Sequence, residues 1–212
     1  MTATSAPPSI AVIGAGGVGG LLAALLARAG HDVRLLARGA ALSAIRDRGL
    51  KIHGPDGDHA VAIARVSDDA TDLGVADIIV VTAKTWQLAD LGLRLVPLIG
   101  EGTIVVPTQN GVEASEQLAR ALGDDHVIGG VCRVISWAER PGEIRWIGHR
   151  LSLMIGPRSS GQLERVQACA AALQAADIEV LTTEAIERER WQKFLFIAPY
   201  AAVGAVERVP VG

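Results

Sequence analysis

Apolar residues in this chain come in short runs that stop at glycine or at a charged side chain. Longer stretches of helical period separate the runs. Ile10-Ala11-Val12-Ile13 ends at Gly14 and predicts a buried strand. Val18 to Ala29, rich in Leu and Ala, predicts a helix closed by Gly30. Val33 to Ala37 is a second strand ending at Arg38-Gly39, and Ala40 to Arg48 a small helix. Residues 50–66 alternate apolar and polar around Gly54-Pro55-Asp56-Gly57, which predicts a hairpin. Asp77 to Ala83 reads as a buried strand of parallel character, Thr85 to Leu98 as a helix and Gly102 to Pro107 as a strand. Gln109-Asn110-Gly111 then turns into a helix over Val112 to Leu122. Between Val127 and Ile155 strand-like runs are parted by Pro141-Gly142 and Gly148-His149, an antiparallel extension. Ser159 to Ala176 is helical, and Ile178 to Leu181 is a last strand.

Strands alternating with helices to about residue 181 imply an α/β fold. Its sheet is a Rossmann-type, doubly wound parallel sheet with the antiparallel extension attached. Residues 1–9 read as a loose tail without the basic and apolar regions of a signal peptide, and residues 10–182 as one Rossmann-type domain. Thr182 or Thr183 is expected to cap a new helix with Glu184 and Glu187 in its first turn. From Trp191 onward that helix carries Phe194, Leu195, Phe196, Ile197, Ala198, Ala201, Ala202 and Val203 and keeps no polar face. Residues 183–212 are therefore expected to be the first helix of an all-helical second domain cut short at Gly212; the alternative cover is a partner subunit, as in a homodimer.

Composition narrows the function. Half of the 212 residues are apolar and the net charge is −3, which points away from nucleic acid and membrane surfaces as partners. With four Trp, two Phe and one Tyr, the core must be built from Ala, Val, Leu and Ile. Cys132 and Cys169 stand far apart, which suits a reduced, cytoplasmic protein. The five His have no ligand spacing, so no metal is expected. No apolar run is as long as a membrane span.

Five places could carry chemistry. Gly14, Gly16 and Gly19 have the G-x-G-x-x-G spacing between an apolar strand and an apolar helix. There the first glycine permits a sharp turn, the second a close approach of a diphosphate, and the third tight helix packing. A turn with no ligand is the plainer explanation of the same spacing. Arg38 ends the second strand, where an NAD enzyme usually carries an acid, and its fork of donors suits a 2′-phosphate; it also fits a solvated surface arginine. Lys84 follows the strand 78–83, at the carboxyl edge where ligands of open parallel sheets lie, and its charge is poorly placed for a helix start. Asn110 is first a turn residue, and its carboxamide can also bind a nicotinamide ribose or a substrate. Lys193 sits among Trp191, Phe194, Leu195 and Phe196. Burying it would lower its pKa and make it a proton donor, whereas snorkelling would leave it inert.

Together these residues resemble the ketopantoate reductases (2-dehydropantoate 2-reductases), NADPH-dependent enzymes of pantothenate synthesis. The likeness runs from residue 10 to the end. It is carried by Gly14-x-Gly16-x-x-Gly19, Arg38, Lys84-Thr85-Trp86-Gln87, Asn110-Gly111 and Trp191-x-Lys193-Phe194. It implies a Rossmann domain followed by an all-helical domain, with the active site in the cleft between. By that resemblance Gly14, Ala15, Gly16, Gly17, Val18 and Gly19 hold the diphosphate. Arg38 and Lys84 meet the 2′-phosphate, Asn110 lies near the nicotinamide and the keto-acid substrate, and Lys193 protonates the ketone oxygen. The family's asparagines one and two helical turns after the lysine, and a further one, are replaced here by Ile197, Ala201 and Val211. Each lost partner of a buried polar substrate group costs about 1–3 kcal/mol, so a less polar ketone is the alternative substrate. A non-catalytic NADP-binding protein is the remaining alternative. The family's serine and glutamate of the later helical domain would lie past Gly212.

Overall fold

The computed structural model describes residues 7–209; the start of the tail and Val211 lie outside them. Its first sheet contains β1 (Ile10–Ile13), β2 (Val33–Leu36), β5 (Arg65–Ser67), β6 (Ile78–Val81) and β7 (Ile104–Pro107), in the order β5-β2-β1-β6-β7. All neighbours are parallel. The chain goes to one side of β1 through β2 and returns to the other side through β6, so the switch point lies between β1 and β6. Register aligns the strand ends: Ile13 is opposite Leu36 and Val81, and Val81 is opposite Pro107. Gly14, Ala37, Thr82 and Thr108 therefore leave the sheet along one edge. The expected doubly wound parallel sheet is present.

The second sheet contains β3 (Leu50–Gly54), β4 (Gly57–Val61), β8 (Gly129–Arg140), β9 (Glu143–Gly156) and β10 (Glu179–Thr182). β3–β4 and β8–β9 are antiparallel, whereas β9 runs parallel to both β3 and β10. The antiparallel extension is thus a sheet of its own, and the last strand belongs to it rather than to the first sheet. That allocation depends on which neighbour covers the strand, and a short apolar run does not carry it. The short strand β5, absent from the expected elements, is fastened at the edge by Arg65 and Arg34, whose guanidinium groups both donate to the Leu73 carbonyl at 3.0 and 2.9 Å.

α1 (Gly17–Arg28) lies between the two sheets, and Leu21, Leu22, Ala23, Ala24 and Leu26 are buried. Gly20 abuts Ile144 and Leu50 of the second sheet. Apolar residues on all sides of α1 follow from having a sheet on either side. α3 (Leu88–Leu95) and α4 (Ala114–Leu122) cover the other face of the first sheet, through Leu88, Leu91, Leu95, Leu118 and Leu122. α2 (Gly39–Arg48) follows β2, and α5 (Leu163–Gln174) packs on β9 and β10. The helix expected over Thr85 to Leu98 is a 3-10 turn, α3 and a second 3-10 turn containing Pro97.

α6 (Ile186–Glu207) starts later than expected. Thr183 accepts the Ala185 amide at 3.1 Å but lies outside the helix, and Glu187 and Glu189 occupy its first turn. Ser9, assigned to the tail, is tied to the sheet: its amide and hydroxyl donate to the Asp77 carboxylate at 2.7 and 2.8 Å. Trp191, Leu195, Phe196, Tyr200, Val203 and Val206 of α6 are exposed, an apolar surface of the kind that marks an interaction site. Among the described residues no helix is long and apolar enough to cross a membrane, and no group of His, Cys, Asp and Glu could hold a metal ion.

Candidate functional site

At the carboxyl edge of the first sheet is a crevice of about 610 Å³. The turn after β1 contributes Gly14, Ala15 and Gly16; β2 and the start of α2 contribute Leu36, Ala37, Arg38 and Ala41. The segment after β6 contributes Lys84, Trp86 and Gln87, and α3 contributes Asp90, Leu91 and Arg94.

Three glycines of the turn have distinct physical demands. Gly14 has φ +111°, which only glycine adopts freely, and a Cβ there would meet Thr82 Oγ1 at 3.0 Å. Gly19 lies so close to the Gly14 carbonyl and Thr82 Oγ1 that no side chain fits. Gly16 differs: φ −79° and ψ −169° suit any residue, and a Cβ would have nothing within 4 Å. Among the described residues neither backbone nor packing requires glycine at 16, so the space in front of it, which lines the crevice, is one that a Cβ would enter. Gly16 is also the N-cap of α1, with no side chain capping it and no acid in the first turn. Those free amides and the positive helix end fit an anion such as a diphosphate. Gly17 and Val18 lie in the first turn of α1, behind this surface; a Cβ on Gly17 would sit 2.6 Å from the Ser136 carbonyl of β8. Gly16→Ala is expected to cost at most about 1 kcal/mol of stability, the worth of a cap. It should weaken a nucleotide diphosphate by about tenfold or more, the loss of one close contact, as titration calorimetry beside thermal melting would report.

Arg38 and Lys84 are exposed and line the crevice. Among the described residues neither forms an ion pair, so two positive charges remain available to a ligand. Arg38 is the N-cap residue of α2 and makes no side-chain cap bond, which adds a second positive helix end. Asn110 does not line the crevice; it is exposed on the next strand end, where its carbonyl accepts from Thr85 Oγ1 at 3.5 Å.

Gln109 was not singled out by the sequence. Its carboxamide donates to the Val81 and Ala83 carbonyls, each at 2.9 Å, and so ties the strand end bearing Lys84 to the one bearing Asn110. The polar triplet Thr108-Gln109-Asn110 closing an apolar strand was the available signal.

Lys193 stands outside the crevice, on the face of α6 against β8, and its ammonium donates to the Cys132 carbonyl. Burial lowers its pKa; Cys132 opposes this, and the Arg133 charge adds a lesser lowering effect. Burial also pushes the Cys132 thiol up to about 11. Along β8, Gly130 touches the Pro107 carbonyl at the end of β7, and Ser136 touches the first turn of α1. At the ordinary rise of a strand, Cys132 lies about 7 Å from the first and about 13 Å from the second. Lys193 is thus anchored to β8 between the residue that meets the end of β7 and the one that meets the first turn of α1. Ile197, half-buried, and Ala201, exposed, follow at one and two turns on the same helix; neither lines the crevice.

What holds α6 there is Arg190, another residue the sequence did not reveal. It is buried and donates to the Val112 carbonyl, to Glu187 and, at 3.1 Å, to Glu116 of α4. Partial burial pushes the Glu116 carboxyl up. The hydrogen bond from Arg190, a backbone hydrogen bond and the charges of Arg190 and Arg158 outweigh it and hold Glu116 below its ordinary 4.5.

A parallel sheet with a glycine turn at its switch point, closed by an exposed arginine and lysine at the neighbouring strand ends, defines a Rossmann-type fold. A family model described as "Ketopantoate reductase PanE/ApbA" matches residues 10–160. The chain belongs to the ketopantoate reductase family. The uncharacterized oxidoreductase YkpB of Bacillus subtilis is 30% identical over 201 residues, covering 95% of this chain and 66% of that protein. The 2-dehydropantoate 2-reductase of Mesorhizobium japonicum is 33% identical over 206 residues, covering 87% and 62%. The crystal structure of 2-dehydropantoate 2-reductase from Porphyromonas gingivalis superposes with a TM-score of 0.90 at 29% identity, over 97% of this chain and 74% of that one. The chain spans about two thirds of the length of the curated relatives it matches.

Proposed function

We propose that this chain is the nucleotide-binding part of an NADPH-dependent reductase that converts a 2-keto acid to a 2-hydroxy acid. The 2-dehydropantoate-to-pantoate reaction of pantothenate synthesis is the type, and the cytoplasm its setting. One observation carries the reading: register brings the glycine turn, Arg38 and Lys84 to one edge, where neither cation forms an ion pair among the described residues.

In this reading the turn Gly14–Gly19 and the amides of α1 bind the diphosphate. Arg38, with Lys84 beside it, binds the 2′-phosphate, and Asn110 orients the nicotinamide end. When bound, the reduced nicotinamide supplies a hydride to the carbonyl carbon of the substrate. Lys193 then gives its ammonium proton to the carbonyl oxygen as the C=O electron pair moves onto that oxygen, and solvent returns the proton to the amine. The exposed apolar side of α6 supports reading it as the first helix of a helical substrate domain, with a second copy of the chain as the other cover. Ile197 and Ala201 beyond Lys193 favour a second substrate class, ketones less polar than ketopantoate.

Following NADPH absorbance with a panel of 2-keto acids tests this. Rapid oxidation by ketopantoate supports the first reading, and oxidation by another ketone the second. Tight binding with no oxidation would leave a nucleotide-binding protein without turnover. Arg38→Ala is expected to weaken NADPH by about 10- to 150-fold, the worth of a hydrogen bond to a charged group, with NADH nearly unaffected. Equal losses for both nucleotides would remove Arg38 from phosphate recognition.

A further inference from the structure

We infer that Trp86 is the platform on which the adenine ring of the nucleotide stacks, an inference that rests on the nicotinamide-nucleotide reading above. Trp86 is 80% exposed, yet it stands in a concave surface rather than on an open one. It is the only aromatic side chain among the residues lining the crevice; the other apolar ones there are aliphatic and small or medium-sized, such as Leu36, Ala37, Ala41 and Leu91. A ring of that size left in water forgoes the largest apolar gain available to any side chain.

Its backbone is nevertheless fixed. Trp86 is the middle residue of the 3-10 turn Thr85–Gln87. The Gln87 side chain accepts the Lys84 amide at 3.0 Å, and the Gln87 amide donates to the Lys84 carbonyl at 2.9 Å. A rigid mount under an uncovered ring is the arrangement of a recognition side chain, because little conformational entropy is lost when a partner covers it.

Position selects the partner. Arg38, at the end of β2, stands where the adenosine ribose is read in sheets of this topology. The base joined to that ribose falls in the part of the crevice away from the glycine turn, between the β2–α2 corner and the segment from Thr85 to Leu91. Trp86 occupies that segment. Stacking on an aromatic side chain is worth a factor of about 5 to 150 in affinity for one base.

Calorimetric titration of the wild-type chain, Trp86→Ala and Trp86→Phe with NADPH, NADH and adenosine 2′,5′-bisphosphate tests the assignment. Trp86→Ala should weaken all three by one common factor in that range, since the base is common to them, and Trp86→Phe should restore most of the loss. The melting temperature should not move, because the ring is already in water. Unchanged binding by Trp86→Ala would overturn the stacking role and leave the nucleotide reading standing. A loss confined to the two 2′-phosphorylated ligands would also overturn it, by placing Trp86 against phosphate rather than base. Failure of the wild-type chain to bind any of the three would remove the nucleotide reading, and this inference with it.

Discussion

Lys193→Ala is expected to lower kcat for ketone reduction by about 10²- to 10⁴-fold, the usual worth of a general acid, while nucleotide affinity stays as it was. The amine does not line the crevice, so its loss should leave the bound nucleotide undisturbed. Its pKa is lowered first by burial, so proton donation should fail as pH rises through a value below the ordinary 10.5. In the reverse direction the neutral amine is the proton acceptor, and the profile should be its mirror image. The alkaline limb should vanish in Lys193→Ala; a limb that persists, or full turnover, would take Lys193 out of the mechanism. Stability gives an independent check. The folded chain holds this proton less tightly than the unfolded one, so the charge opposes folding below the lowered pKa, and stability rises with pH between that value and 10.5. Lys193→Met should therefore raise the melting temperature at neutral pH while abolishing catalysis, which a merely structural lysine would not do.

Arg190→Ala is expected to cost about 3 kcal/mol in the docking of α6. That is the low end for removing one partner of a buried ion pair, because the carboxylates of Glu116 and Glu187 remain partly solvated. The Val112 carbonyl loses its donor as well. Lys193 is three residues further along the same helix, so the variant should also lose kcat by about tenfold or more through misplacement alone. Arg190→Lys should not rescue it, since an ammonium lacks the fork that reaches a carbonyl and two carboxylates together. Glu116 titrates below 4.5 in the folded chain. Its contribution is complete above that value and is lost as pH falls through the lowered pKa; this acid-side loss should be diminished in Arg190→Ala. Hydrogen exchange along α6 would report the change directly, and wild-type protection in the variant would show that Arg190 clamps nothing.

The crevice was legible because its parts are local. An apolar run followed by glycine or a cation identifies a strand's carboxyl end without knowledge of its neighbours, and Gly14, Arg38 and Lys84 each stand at such an end. Gln109 and Arg190 were not legible, for the opposite reason. Glu187 apart, their partners are carbonyls and a carboxylate 26 to 78 positions away, and nothing in the residues beside them records those partners. Trp86 was not legible either, since an exposed tryptophan and a core one look alike in sequence.

By itself the order of residues determined the alternation of strand and helix, the glycine turn, the cations after the second strand and after the strand 78–83, and a last helix without a polar face from Trp191 onward, because each follows from periodicity and backbone sterics over a few neighbours. Only the tertiary structure decided that four strand ends stand level, that the last strand joins a second sheet, and that the Lys193 amine meets the Cys132 carbonyl. Register and helix docking are set by packing and hydrogen bonding between segments remote along the chain, and such pairings leave no trace in a local pattern.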